Sequence, residues 1–554
     1  MASDPRPDPR LDRRQALGCL ALSALPTQDS QPATREDLAG DMAAAMRLAG
    51  IEFQPQERQL AQGRLRELRT DYAALRAAPV GWHLHPSLRF DPLPDGVALP
   101  PTDPGPVWTA PAEPPLPAND LDLAFASVET LAGLLRARKL TSRRLTELAL
   151  ARLEAFDPRL LCVVTLLRDQ ALAAADQADA ELAAGRVRSA LHGIPYGAKD
   201  LFAWPQARTT FGARPYREQV WDTEATVLAR PRAAGAVLVA KLTLGALAMG
   251  DVWFGGTTKN PWNPAQGSSG SSAGSTAAVA AGLVPFALGT ETLGSIVSPC
   301  ARCGVSGLRP TFGTVSRAGA MPLSWSMDKV GAIARHAQDL ALVYDVIRGP
   351  DGKDPSVRKA AFAWRRAQPL RGFKIGYLDA ARGAAAQEPF LEALRAAGAE
   401  LVATRLPAAP YRPMLVMLNA EGACAFDELT RSGGLRELDA QGPGDWPNTF
   451  RTARTIPAVE YLRAARLRTQ LLADMHATMA PLDALIALPG AGASLVCTNL
   501  TGHPCVVLPL GFRQDGTPTA ITVIGRLYEE AKILAVAEHW QSVTAHHLQR
   551  PPLG

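Results

Sequence analysis

The sequence predicts an α/β protein preceded by a short helical segment and a proline-rich strap. Three observations carry that expectation. Of 554 residues, 47% are hydrophobic and 20% charged, enough to bury a large core and to exclude disorder over most of the chain. From Asn119 onward, Ala/Leu-rich amphipathic stretches alternate with short apolar runs bounded by turn residues. A dense Gly/Ser tract, Gly267 to Ser275, leads straight into the apolar segment TAAVAAGLVPFALG, which reads as core helix and strand rather than as the end of a flexible linker.

The elements follow in order. In residues 1–30, paired Arg13 and Arg14 precede an apolar run from Ala16 to Leu25. This is either a twin-arginine-type export signal, which would place the protein in the periplasm, or a basic tail of a cytoplasmic protein. Residues 31–118 form the next segment. Thr34 to Asp37 offer a cap and early carboxylates to helices that extend to about residue 78. The Pro-rich stretch 79–117 cannot be helical and runs extended, and its Trp82, Phe90 and Trp108 favour a docked strap over a free linker. Residues 119–554 read as one α/β domain. Its helices include LAGLLRARKLTSRRLTELALARLEAF and ALAAADQADAELAAG. Its buried strands include AVLVAKL at 236–242, FKIGYL at 373–378, ALIAL at 484–488 and PCVVLPLGF at 504–512.

A net charge of +5 over this length gives no electrostatic case for a nucleic-acid or membrane partner. The long uncharged stretch 484–512 is interrupted by Pro489, Asn499, Pro504 and Pro509 and does not read as a membrane span. Seven sparse cysteines argue against a disulfide scaffold. Cys300 and Cys303 have CxxC spacing, but no second pair follows, so they read as small buried residues.

The Gly/Ser tract lacks both GxxxxGK[ST] and GxGxxG, which argues against a nucleotide loop. Gly allows close backbone approach, and Ser supplies hydroxyls that relay a proton or attack a carbonyl. A separate serine, Ser295, closes GTETLGS. Thr292, Leu293 and Gly294 before it can turn their N–H groups, with that of Ser295, into an oxyanion hole. None of the nine histidines stands in a Ser/His/Asp pattern, and GxSxG is absent. The candidate base is Lys199 in LHGIPYGAKDLFA, because a lysine held beside the core loses proton affinity.

ALHGIPYGAKD, TTKNPWNP, the Gly/Ser tract, GTETLGSI, CGVSGLRPTFG and TNLTGHPCVVLPLGF occur in an order that resembles the amidase signature family over about residues 120–550. The resemblance implies a central mixed β-sheet flanked by α-helices and a Ser–Ser–Lys triad. Its lysine falls on Lys199 and its nucleophile on Ser295. Its bridging serine, which in the family follows a cis peptide, falls on Ser271, 24 residues before the nucleophile. Ser268 offers a second register, and the spacing favours Ser271. The resemblance further implies hydrolysis of a small-molecule amide through an acyl-enzyme, with no cofactor or metal, by a monomer or homodimer. Three positions depart from the pattern: Glu291 replaces Asp, Leu293 replaces Gly and Val297 replaces Arg, which alters the pocket wall. The stretch from about Asp379 to Arg468 is expected to line the pocket. The N-terminal segment more weakly resembles the small C subunit of tRNA-dependent amidotransferases. Two other activities fit: a glutamine amidotransferase A-type subunit working with a partner, and an esterase or carbamate hydrolase on the same triad. A binding protein without catalysis is disfavoured by an intact Lys199, Ser271 and Ser295.

Overall fold

The computed structural model describes residues 37–77, 88–100, 108, 114–378 and 384–553. The segment 1–30 lies outside them, as do strap residues 79–87, 101–107 and 109–113, including Trp82. The chain divides into two compact units, Met1–Ala78 and Pro79–Gly554. The first contains α1 (Leu38–Ala49) and α2 (Pro55–Ala77). Asp37 caps α1 by accepting a hydrogen bond from Gly40 N at 2.9 Å, and Pro55 opens α2 where its missing N–H costs nothing.

The second unit is built on one mixed sheet of 11 strands. In chain order these are β1 (Val163–Leu166), β2 (Pro195–Lys199), β3 (Val237–Leu242), β4 (Phe286–Glu291), β5 (Ser306–Arg309), β6 (Lys329–Ala334), β7 (Lys374–Leu378), β8 (Glu400–Thr404), β9 (Ala484–Ala487), β10 (Cys505–Phe512) and β11 (Pro518–Gly525). Their order in space is β1-β3-β2-β4-β6-β5-β10-β11-β9-β7-β8. β2 runs parallel to β3 and β4, with Ala198 opposite Leu288. β4 and β6 are antiparallel, with Thr290 opposite Val330 and Glu291 opposite Lys329. β2, β3, β5, β6 and β9 are buried at every residue, which explains their continuous rather than alternating apolar runs. All four apolar runs expected as strands are strands, namely β3, β7, β9 and β10.

Helices flank the sheet. They include α3 (Val128–Arg136), α4 (Ser142–Leu160), α5 (Arg168–Ala183), α6 (Ala273–Ala280), α7 (Val297–Cys303), α8 (Val416–Ala425), α9 (Ala458–Met479), α10 (Ser494–Thr501) and α11 (Glu530–Val543). α6 is buried along its whole length, and its sequence AGSTAAVA contains only small residues and one valine. A Cβ on Gly274 would sit 2.3 Å from Cys162 O and 2.5 Å from Thr243 N, so only glycine fits there. The Gly/Ser tract thus leads into a fully buried, closely packed helix.

Two strap aromatics are inserted into this unit. Trp108 donates from Nε1 to Asp345 at 3.1 Å, and its ring lies 5.0 Å from that of Trp364. Phe90 lies edge-on to Phe312 at 5.0 Å, and Asp91 forms an ion pair with Arg358. Cys300 and Cys303 are fully buried, and burial pushes both thiols up. Among the described residues no helix is long and apolar enough to cross a membrane.

Candidate active site

β2 ends on Lys199, and the parallel pairing of β2 with β4 carries its side chain toward the end of β4. The residue is fully buried, and its Nζ is hydrogen-bonded to Ser271 Oγ at 2.8 Å, Thr290 Oγ1 at 2.8 Å and Ser272 Oγ at 3.2 Å. Burial lowers the lysine pKa to about 7, against the opposing pull of Asp328 and Glu291. An amine at that value is divided between its charged and neutral forms at physiological pH. The Gly270–Ser271 peptide is cis. Ser271 is 1% exposed and Ser295 7%. The main chain of Ser295 lies against the tract, since Ser272 N donates to Ser295 O at 3.1 Å. Lys199 and Ser271 therefore share a direct hydrogen bond, and Ser295 is joined to them through the backbone of Ser272.

The turn from Thr292 to Ser295 is fixed at both ends. Gly294 has φ +88°, and a Cβ there would meet Ser298 Oγ at 2.9 Å. Thr292 donates from Oγ1 to Asp328 Oδ1 at 2.6 Å, while Asp328 Oδ2 accepts from Leu323 N and Ser324 N. Glu291 lies just before the turn. Its Oε2 accepts from Ile296 N and Val297 N at 2.9 Å each, and its Oε1 accepts from Arg309 at 2.6 Å and Asn499 at 2.8 Å. Burial opposes the charge of Glu291, but Arg309 and these donors outweigh it and hold the pKa at about 2. Glu291 thus supplies the carboxylate that secures the turn. Val297 is buried at the start of α7, and Leu293 packs against the core.

Sequence reasoning missed four contributors. Thr290 and Ser272 bond Lys199, and Ser272 Oγ also accepts from Thr290 N at 3.2 Å. Asp328 anchors the turn from the residue before β6. Asp200, next to Lys199, forms a fully buried ion pair with Lys241 of β3 at 2.7 Å and accepts from Thr210 N at 2.9 Å. The Lys-Asp dipeptide is the one signal for Asp200.

A cavity of about 730 Å³ meets this site at Thr290 and Thr292. Leu201, Trp221, Met321 and Trp325 give it apolar and aromatic walls. Its lining comes from residues between Leu201 and Lys353. The stretch 379–468, expected on the pocket wall, contributes none of it among the described residues. That stretch instead supplies α8 and half of α9, whose Glu421 and Arg468 hold the back of the loop that forms the wall.

A family model described as Amidase matches residues 144–480. The chain is 34% identical over 487 residues to the A subunit of the glutamyl-tRNA(Gln) amidotransferase of Acinetobacter baumannii strain AYE, covering 77% of this chain and 98% of that protein. It is likewise 34% identical to the corresponding amidotransferase protein of Chloroflexus aggregans, covering 78% and 99%. Among solved structures, the native peptide amidase from Stenotrophomonas maltophilia superposes with a TM-score of 0.69 at 31% identity, covering 77% of this chain and 98% of that one.

Proposed function

The chain belongs to the amidase family, and from that premise we propose that it is a serine-dependent hydrolase that releases an amine or ammonia from a carboxamide through an acyl-enzyme. The observation that carries the reading is the 2.8 Å hydrogen bond between a fully buried lysine and Ser271. Neutral Lys199 accepts the proton of Ser271, which takes that of Ser295. Ser295 Oγ attacks the amide carbonyl, and the N–H groups from Thr292 to Ser295 receive the developing oxyanion. The proton returns through Ser271 to the leaving nitrogen. Water then attacks the acyl-enzyme by the same route in reverse. Thr290 and Ser272 orient the amine, and the cavity beside them, mostly apolar but also lined by charged groups such as Asp222, Glu224 and Lys353, suits a substrate that pairs a bulky apolar group with polar ones.

Labelling with a fluorophosphonate, followed by peptide mapping, tests the nucleophile. Modification of Ser295 is expected, and an unmodified Ser295 beside another labelled residue refutes the assignment. A panel of amides, esters and urethanes then ranks the acyl donors. The similarity to glutamyl-tRNA(Gln) amidotransferase proteins favours a second reading, an amidotransferase component that works with a partner. Strict dependence on glutamine and on a copurifying chain would establish it. The strap preceding the domain and the altered GTETLGSIV weigh toward an enzyme that acts alone.

A further inference from the structure

We propose that Phe90 of the strap is a positioning residue for the active site, clamping the loop Leu323–Asp328 through Arg468. The proposal rests on the assignment of Thr292 to the oxyanion turn. Phe90 is partly buried, and the guanidinium carbon of Arg468 lies 3.4 Å from its ring centroid. Arg468 is 4% exposed. Its Nη1 and Nη2 donate to Ser326 Oγ at 2.9 Å and Ser326 O at 2.8 Å, and its Nε donates to Leu500 O. The guanidinium therefore spends its in-plane donors on the loop and on α10, while its face is covered by the strap ring. A cation out of water gains most from such a ring, because little solvent competes with it.

The loop converts this contact into geometry at the reacting centre. Ser326 is also held by Glu421, which accepts from its N at 3.0 Å and its Oγ at 2.7 Å. Ser324 Oγ donates to the same carboxylate at 2.7 Å. The other side of the loop closes on Asp328, which accepts from Leu323 N at 2.8 Å and Ser324 N at 2.9 Å and receives Thr292 Oγ1. Leu323, Trp325 and Asp328 also line the cavity. Contacts thus run without a break from Phe90 through Arg468, Ser326, Glu421, Ser324 and Asp328 to Thr292. The strap is further seated by the ion pair of Asp91 with Arg358, and Pro92 lies 3.0 Å from the position a Cβ on Gly502 would occupy.

The test uses the full-length chain with Phe90→Ala, Phe90→Leu and Phe90→Trp, read by hydrogen exchange of the Leu323–Asp328 amides and by the fluorophosphonate labelling rate at Ser295. Phe90→Ala is expected to speed exchange in the loop and to slow labelling by up to about thirtyfold, the size of a desolvated cation–π contact. Phe90→Leu should fall between Phe90→Ala and wild type, and Phe90→Trp should restore both readouts. Wild-type loop exchange in Phe90→Ala overturns the proposal whether or not the protein is active. Faster exchange with an unchanged labelling rate overturns it too, by reducing Phe90 to a packing residue. A wild-type protein that is not labelled at Ser295 refutes the functional assignment instead, and with it the catalytic part of the clamp, leaving the loop contact to stand or fall on exchange alone.

Discussion

Replacing Lys199 separates its role as a base from every structural one. A lysine at its usual value is neutral in about one molecule in three thousand at pH 7, whereas at a value of about 7 the neutral fraction is about half. Burial therefore supplies roughly a thousandfold more competent base. The labelling rate at Ser295 should rise about tenfold per pH unit below 7 and level off above it. Lys199→Ala should lose several orders of magnitude and flatten the profile, and Lys199→Arg should do no better, because guanidinium does not give up its proton. The same shift has a stability consequence. Between about pH 7 and 10.5 the unfolded chain binds a proton at this lysine that the folded chain does not, so wild-type stability rises with pH across that window. Lys199→Met lacks that slope. Its stability relative to wild type, from urea titrations, should be greater at pH 6 than at pH 10.5 by roughly 3–5 kcal/mol. A labelling rate independent of pH from about 5.5 to 9, or a Lys199→Arg protein labelled at near wild-type rate, would refute the reasoning.

Ser295→Ala should form no covalent adduct in mass spectra taken after a denaturing quench, and an adduct of normal stoichiometry would reassign the nucleophile. Gly294→Ala forces a Cβ onto φ +88° and into Ser298 Oγ, so kcat should fall at least tenfold with little change in Tm; unchanged kcat would detach the turn from catalysis. Glu291→Gln leaves Arg309 buried without its carboxylate and should cost about 3–5 kcal/mol of stability at pH 7. Because the folded value of Glu291 is depressed to about 2, that contribution is complete above the unfolded value near 4.5 and is lost as pH falls toward 2. Wild type and Glu291→Gln should therefore converge in stability on acidification, as followed by circular dichroism.

The sequence was most readable where local pattern and chemistry coincide. The apolar runs at 236–242 and 504–512 are strands, buried on both faces over all or most of their length, whereas the choice of Ser271 over Ser268 rests on the resemblance to the amidase signature family, through its downstream alignment and the 24-residue spacing it implies. Lys199 stands out only together with the serine motifs and the resemblance to the amidase signature family, because a lone lysine by itself reads as a solvated surface charge; the structure places it fully buried. Thr290 and Ser272 escaped notice because their roles depend on the register between β2 and β4 and on the fold of the tract, which no local pattern encodes. Asp328 escaped for a related reason. It reaches Thr292 only across the antiparallel pair β4 and β6. Of the stretch 379–468, the described residues do not line the cavity at Thr290 and Thr292; Glu421 and Arg468 brace the loop behind it instead, a role that depends on tertiary packing rather than on local pattern.

The carboxylate of Glu291 gathers donors from Ile296, Val297, Arg309 and Asn499, the last 208 positions away in the chain. That reach ties the turn under Ser295 to a helix that is made late in synthesis. During synthesis, Lys199, Ser271 and Ser295 all emerge well before Asn499, so a nascent chain can carry all three side chains while the turn under Ser295 still lacks part of its fastening. The turn is fastened to α10 only once that helix has been made and packed. On the proposed mechanism, a chain broken after β8 keeps Lys199, Ser271 and Ser295 but lacks Asn499, and fluorophosphonate labelling at Ser295 is expected to be lost with it.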